Sequence, residues 1–283
     1  MPMKLYGAVM SPFVRKTRVV LALKGLDYEA VHVDPNNKPE GYEKISPLQR
    51  IPALEVDGRY LADSAVICAY LEKTHPEPAL YPSDPFQYAR TLWFEKYADY
   101  ELAPHCTFTV FRNRIVKRLM GQDCDEEAIA KALESRIPPM LDYLEQELDG
   151  REYLVGDSLT VADIAVASQL VNFRHGGETV DAGRYPNLAA HTEHLERRNS
   201  DCNEVLRETR RGIGHPKLDA CCEHDHVIWL GDLNYRLDPR LDGDHAAYRL
   251  DGDHAEVLAK ISRAVNASSS AAGPAVGQQS SAG

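Results

Sequence analysis

The apolar and polar positions of this chain change period part-way along, and the change divides it. Near the start the pattern is short and strand-like. Residues 4–8 read as a strand, and Ser11-Pro12 signals a helix start, because a serine hydroxyl can cap free backbone N–H groups while proline fits the first turn. Val14, Val19, Leu21, Ala22 and Leu23 then favour a helix stopped at Gly25. Residues 28–33 alternate, with Tyr28, Ala30 and His32 on one face and Glu29, Val31 and Val33 on the other, which predicts a second strand. Strands at 53–56 and 60–62 flank Asp57-Gly58, a hairpin signal, and a helix over 64–73 comes next. The predicted order is β-α-β-(α)-β-β-α.

From residue 86 the period becomes helical. Residues 86–120 predict a long amphipathic helix broken near Pro104, and 126–148 carries helical spacing at Ile129, Leu133, Ile137, Leu141, Leu144 and Leu148. Thr160 and Asp163 form a capping box, in which each side chain satisfies the other's free N–H. After Gly212 the composition shifts. Arg-Leu-Asp-Gly-Asp-His-Ala occurs at 240–246 and again at 249–255, but two units fall short of the three or so that a solenoid needs. Residues 266–283 are dominated by Ser, Ala, Gly, Gln and Pro, carry no charge, and predict disorder.

Composition then excludes several classes. A net charge of −11 over 283 residues argues against nucleic acid or an anionic membrane as main partner. Neither a signal peptide nor a run of about 18 apolar residues is present, so export and membrane insertion are unsupported. Six cysteines, none in a CxxC pair, fit reduced thiols in a cytoplasmic compartment. Cys221, Cys222, His224 and His226, like the Asp/His repeats, have metal-binding residue types, but chance clustering and exposed acidic duplication are the commoner causes, and no metal is expected.

Four stretches carry chemistry: Met10-Ser11-Pro12-Phe13, Asn37-Lys38-Pro39, Arg50-Ile51-Pro52-Ala53 and Asp63-Ser64. With the element order and a proline at the mouth of the third strand, they make the chain resemble a cytosolic glutathione transferase as far as about Arg211. The KLYG start, the serine and SPLQRIPAL resemble the plant phi class and its bacterial relatives. The resemblance implies an α+β thioredoxin-like, glutathione-binding domain at 1–76 and an all-α helical domain at 85–211; the irregular tail at 212–265, followed by 266–283, does not belong to that pattern. It implies a homodimer, glutathione as co-substrate, no metal, and detoxification of electrophilic hydrophobic small molecules.

The resemblance also implies residue roles. Ser11 would donate its hydroxyl to the glutathione sulfur. Pro52 matches a cis-proline, after which the Ile51 backbone can pair with the cysteinyl segment. Lys38 and Arg50 match positions that hold the glycine end, Ser64 the one that holds the γ-glutamyl carboxylate, and Asp63 would meet the ammonium. Phe13, His105, Phe108, Phe111 and Arg112 are candidates for the acceptor pocket, and equally for core at helical spacing. The phi pattern has His, Gln and Glu where this chain has Asn37, Arg50 and Asp63; arginine keeps a donor and aspartate keeps the charge. Tyr6 is a rival activator, read as a packed core tyrosine. Omega-class and glutaredoxin-like relatives carry cysteine where Ser11 stands, so conjugation is expected rather than thiol-disulfide exchange.

Two other readings stand beside this one. A transferase-like domain can serve as a non-catalytic binding or assembly module, against which an intact Ser11 argues. Residues 224–237, HDHVIWLGDLNYRL, resemble a signature of inositol polyphosphate 5-phosphatases, with Asp232 and Asn234 at the positions that place water and phosphate beside magnesium. The chain lacks the further PAWCDR motif such enzymes use.

Overall fold

Four strands form one mixed sheet in the order β2 (Tyr28–His32), β1 (Met3–Gly7), β3 (Ala53–Val56), β4 (Arg59–Ala62). In this computed structural model, which describes residues 3–195, β1 lies parallel to β2 and antiparallel to β3, which pairs antiparallel with β4. A parallel pair needs a crossover, and α1 (Pro12–Leu23) supplies it. The β3–β4 hairpin needs only Asp57-Gly58, both at positive φ (49° and 73°), the geometry that matches strand twist. α2 (Ser64–Thr74) completes this half. Gly7 is required where β1 meets α1, since a Cβ there would lie 2.4 Å from Val14 Cγ2.

The second half is helical. α3 (Pro85–Tyr97) runs directly into Ala98–Lys117, which is wound in wider π-type turns and contains Pro104. The break expected at Pro104 therefore does not occur. Proline clashes with the carbonyl one α-turn earlier and removes a donor, and the wider winding displaces that pattern. Next come α4 (Glu126–Lys131), a π-type turn at Ala132–Arg136 and α5 (Ile137–Leu148), then α6 (Val161–His175) and a helical stretch over residues 186–195.

α6 is buried at every position from Val161 to Phe173, as befits a helix hydrophobic nearly all round. It packs against α1, α3 and the π-type segment. One core unites Leu5, Leu21, Leu54, Ile67 and Leu71 of the first half with Val161 and Ile164 of α6. The capping box forms: Asp163 is fully buried and accepts from the Thr160 N–H (2.8 Å), the Thr160 hydroxyl (2.9 Å) and the Leu154 N–H (2.8 Å). His191 Nε2 lies 2.9 Å from the same carboxylate.

The tail segments at 212–265 and 266–283, the phosphatase-like stretch, the Asp/His repeats and the Cys221, Cys222, His224, His226 group lie outside the described residues, as does the end of the 85–211 segment.

Candidate active site

Strand register brings the four chemistry-bearing stretches to one end of the sheet. Gly7 pairs with His32, so β1 and β2 end together, and the loops carrying Ser11 and Lys38 leave from that end. β3 is antiparallel to β1, with Tyr6 opposite Ala53, so Ile51-Pro52 enters β3 there. Ala53 faces Ala62, so β4 also ends there and delivers Asp63 and Ser64.

Ser11 caps α1 from extended geometry (φ −73°, ψ 125°), with Pro12 in the first turn. The Val14 N–H donates to its Oγ over 3.4 Å, a long bond. A hydroxyl has one donor and two acceptor sites, so this cap leaves the Ser11 O–H able to donate outward. The N-terminus of α1 adds partial positive charge. Tyr6 is otherwise engaged: half-buried rather than core, its hydroxyl donates to Glu55 Oε2 at 2.6 Å and its ring meets Tyr60 edge-on. Burial and the Glu55 carboxylate push its pKa upward, so it resists ionising.

Around this point the remaining candidates take distinct stations. Lys38 is half-buried, and its ammonium donates to the Pro35 carbonyl at 2.6 Å. Arg50 is exposed, its N–H bonded to Ser46 Oγ and its carbonyl accepting from Tyr42. The Ile51-Pro52 peptide bond is cis. Ser64 is buried as the first residue of α2. Asp63 is the cap: its Oδ1 accepts from the N–H groups of Ala65 (2.9 Å) and Val66 (3.4 Å). Asp63 does so at φ 80°, ψ 129°, a sparsely populated conformation for a non-glycine residue that costs about 1–3 kcal/mol and clusters at functional sites.

Of the acceptor-side candidates, Phe13 and Phe108 meet across the two halves, rings stacked at 6.2 Å and 25°. Phe111 is buried, 6.4 Å from the His175 ring, and Arg112 is exposed. His105 is half-buried, and burial and then Arg136 lower its pKa. Positions 105, 108 and 112 share a face at 3.6 residues per turn, and the wider π-type winding turns 105 away from it while 108 and 112 stay close.

Several buried polar residues carry no signal in the sequence. Lys16, with its side chain 1% exposed, bonds Glu95 at 3.0 Å and Asp99 at 2.7 Å on the helical rod. Arg15 is buried against α6, where its Nη1 donates to the Ser168 carbonyl and to Asn172 Oδ1. Lys24 bonds Glu72 at 2.8 Å. The helical half supplies the partners of Arg15 and Lys16, whereas Lys24 is held within the first half, by Glu72 and the carbonyls of His75 and Pro78. Among the described residues no group of three or more His, Cys, Asp or Glu is placed to hold a metal.

Comparison with known proteins now bears on this arrangement. Residues 5–79 match the glutathione S-transferase N-terminal domain family and residues 110–200 the corresponding C-terminal domain family. Maleylacetoacetate isomerase of Rattus norvegicus is 30% identical over 190 residues, covering 65% of this chain and 83% of the relative. The chain belongs to the glutathione S-transferase family. Among solved structures, a glutathione S-transferase from Rhodospirillum rubrum F11 is 31% identical with a TM-score of 0.63, covering 69% of this chain and 87% of that one. Another, from Methylobacterium radiotolerans in complex with glutathione sulfonate, is 28% identical with a TM-score of 0.58, covering 69% and 91%. Residues 187–262 match an endonuclease/exonuclease/phosphatase family, overlapping the C-terminal transferase match. Within the overlap, Asn187 and Leu188 of this transferase-family chain donate backbone N–H groups to Glu145, and Leu188 and His191 are buried, so residues 187–195 belong to the helical half.

Proposed function

We propose that this enzyme ionises the thiol of glutathione with the Ser11 hydroxyl and adds the thiolate to an electrophilic, hydrophobic small molecule. The observation that carries the reading is the placement of Ser11: a helix-capping hydroxyl with its proton available, at the sheet end where all four recognition stretches converge. Lowering a free thiol from about 8.5 to about 7 takes roughly 2 kcal/mol. One hydrogen bond to a charged acceptor supplies about 1.5–3 kcal/mol, so no second catalytic group is needed. In this reading the Ile51 backbone pairs with the cysteinyl segment, Lys38 and Arg50 hold the glycine end, and Ser64 with Asp63 holds the γ-glutamyl end. The stacked Phe13 and Phe108 offer the acceptor an apolar wall. The thiolate attacks the electrophilic carbon, and a leaving group such as halide departs with the bonding pair.

The test is conjugation of glutathione to an aromatic halide across pH. Ser11→Ala should lose at least about tenfold in rate and raise the bound thiol's pKa by about 1 unit while glutathione still binds. Unchanged turnover with an unchanged pH profile would remove Ser11 from the role.

Relatives named maleylacetoacetate isomerase support a second use of the same thiolate. Reversible addition to a cis carbon-carbon double bond, rotation and expulsion would isomerise it with glutathione regenerated. Running maleylacetoacetate beside the aromatic halide separates the two: isomerisation consumes no glutathione, and conjugation does.

The same reading makes the enzyme a cytoplasmic homodimer. Phe86, Trp93 and Tyr100 are exposed at seven-residue spacing along the helical rod, and Tyr60 and Val66 are exposed on the first half, which gives each half an apolar surface for the other half of a second copy. Cys68, Cys106 and Cys124 are free thiols, as a reducing compartment requires, and cell fractionation checks the location.

A further inference from the structure

We infer that Asn172 is a positioning residue for the Ser11 hydroxyl, acting together with Arg15; this rests on the assignment of Ser11 as the thiol-ionising group. Asn172 lies on α6, in the other half of the molecule, and is fully buried. Its Nδ2 donates to the carbonyl of Met10, the residue before Ser11, at 3.2 Å. Its Oδ1 accepts from Arg15 Nη1 at 2.8 Å, and the same Nη1 donates to the Ser168 carbonyl at 2.9 Å. The backbone N–H of Arg15 in turn donates to the Ser11 carbonyl at 2.9 Å. The residue before Ser11 and the residue one turn after it are therefore tied to a single amide across the interface. A carbonyl only accepts and a guanidinium only donates, so just one orientation of the Asn172 amide serves both.

The geometry requires such a tie. Ser11's own cap bond is 3.4 Å long and fixes the hydroxyl loosely. A hydrogen bond to a thiolate weakens steeply as its angle closes, and a reacting group must be held to within about 0.5 Å. Asn172 and Arg15 have almost no exposed surface, so they act through the Ser11 loop and not by touching substrate. The anchor also fixes that loop to the half that carries Phe108, which gives the thiolate and the acceptor wall a common reference.

Three quantities are measured on the full chain: thiolate absorbance of bound glutathione against pH, the dissociation constant of S-methylglutathione, which has no thiol proton, and kcat and KM for an aromatic halide. Asn172→Ala should raise the bound thiol's pKa by about 0.5–1 unit and lower kcat about three- to tenfold, with S-methylglutathione binding within about threefold of wild type. Should that variant fail to fold, Arg15→Lys carries the test, because it keeps the positive charge while losing the planar fork, and it should move the pKa in the same direction. Lower thermal stability with the thiol pKa unmoved in folded protein would overturn the inference and make Asn172 a structural bridge only. A Ser11→Ala variant run in parallel separates the two ideas. If Ser11→Ala moves the pKa and neither bridge variant does, the Ser11 reading stands and this inference falls; if Ser11→Ala moves nothing, both fall.

Discussion

At His175 burial and charge act in the same direction. The ring sits at the end of α6 against Phe111, and burial first, then Arg15 and Arg174, push its pKa down from 6.5 to about 4. The unfolded chain therefore binds more protons than the folded one between those values, and stability must rise with pH across that window and fall on acidification. The linkage is worth up to about 3 kcal/mol at 1.36 kcal/mol per unit. Asp99 works the other way: burial raises its carboxyl above the usual 3.8 against the pull of Lys16, so its contribution declines as pH rises from there. Comparison of variants isolates the histidine. Urea unfolding from pH 6.5 down to 4 should show His175→Gln losing clearly less stability than wild type, and parallel curves would show that His175 does not carry the slope. Residues of this kind were illegible in the sequence. Ser11-Pro12 and Asp57-Gly58 act on neighbours a few positions away and could be read directly, whereas the environment of His175 comes from Arg15, 160 positions earlier.

The same distinction holds among elements. The strands, α1 and α2 are predictable from period and punctuation, and the start of α6 from its capping box, because each has its local signal. The continuous rod from α3 through Pro104 is not, since the choice between a broken helix and a wider winding is made by the surfaces packed on it. α1 shows what that packing does. Residues 14–17 are buried consecutively, which a helix facing one sheet could not achieve, because α6 packs on α1 as well and Lys16 meets Glu95 and Asp99 of the rod. Lys16 is the centre of that contact. Burial alone would lower its pKa, but Glu95 and Asp99 outweigh it and hold the ammonium charged. Removing the cation leaves two carboxylates with side chains 1% and 11% exposed facing each other. Lys16→Met should therefore cost about 3–5 kcal/mol at neutral pH, more than its lost contacts alone, and Asp99→Asn in the same chain should recover part of the loss. Additive effects of the two substitutions in a denaturation cycle would show that the pair is not coupled.

For the whole molecule the question is where the transferase ends. The match to the endonuclease/exonuclease/phosphatase family begins at residue 187, yet residues 187–195 are already committed to the helical half through Glu145 and through His191 on Asp163. The remaining sequence includes Asp232 and Asn234 within HDHVIWLGDLNYRL but no PAWCDR motif. The interface surfaces invoked for a homodimer, on α2, β4 and the rod, all precede residue 101. Activity and assembly should accordingly be independent of the tail. A chain ending at Arg211 is expected to keep conjugation within about threefold of the full chain and to lose at most about 2 kcal/mol of stability, and both chains are expected to scatter light as dimers at micromolar concentration. The full chain should release no phosphate from an inositol polyphosphate with magnesium present. Release that disappears in Asp232→Ala would make the tail a second enzyme, collapse of the shortened chain would place part of 212–283 in the folded core, and a monomer in both chains would reject the dimer.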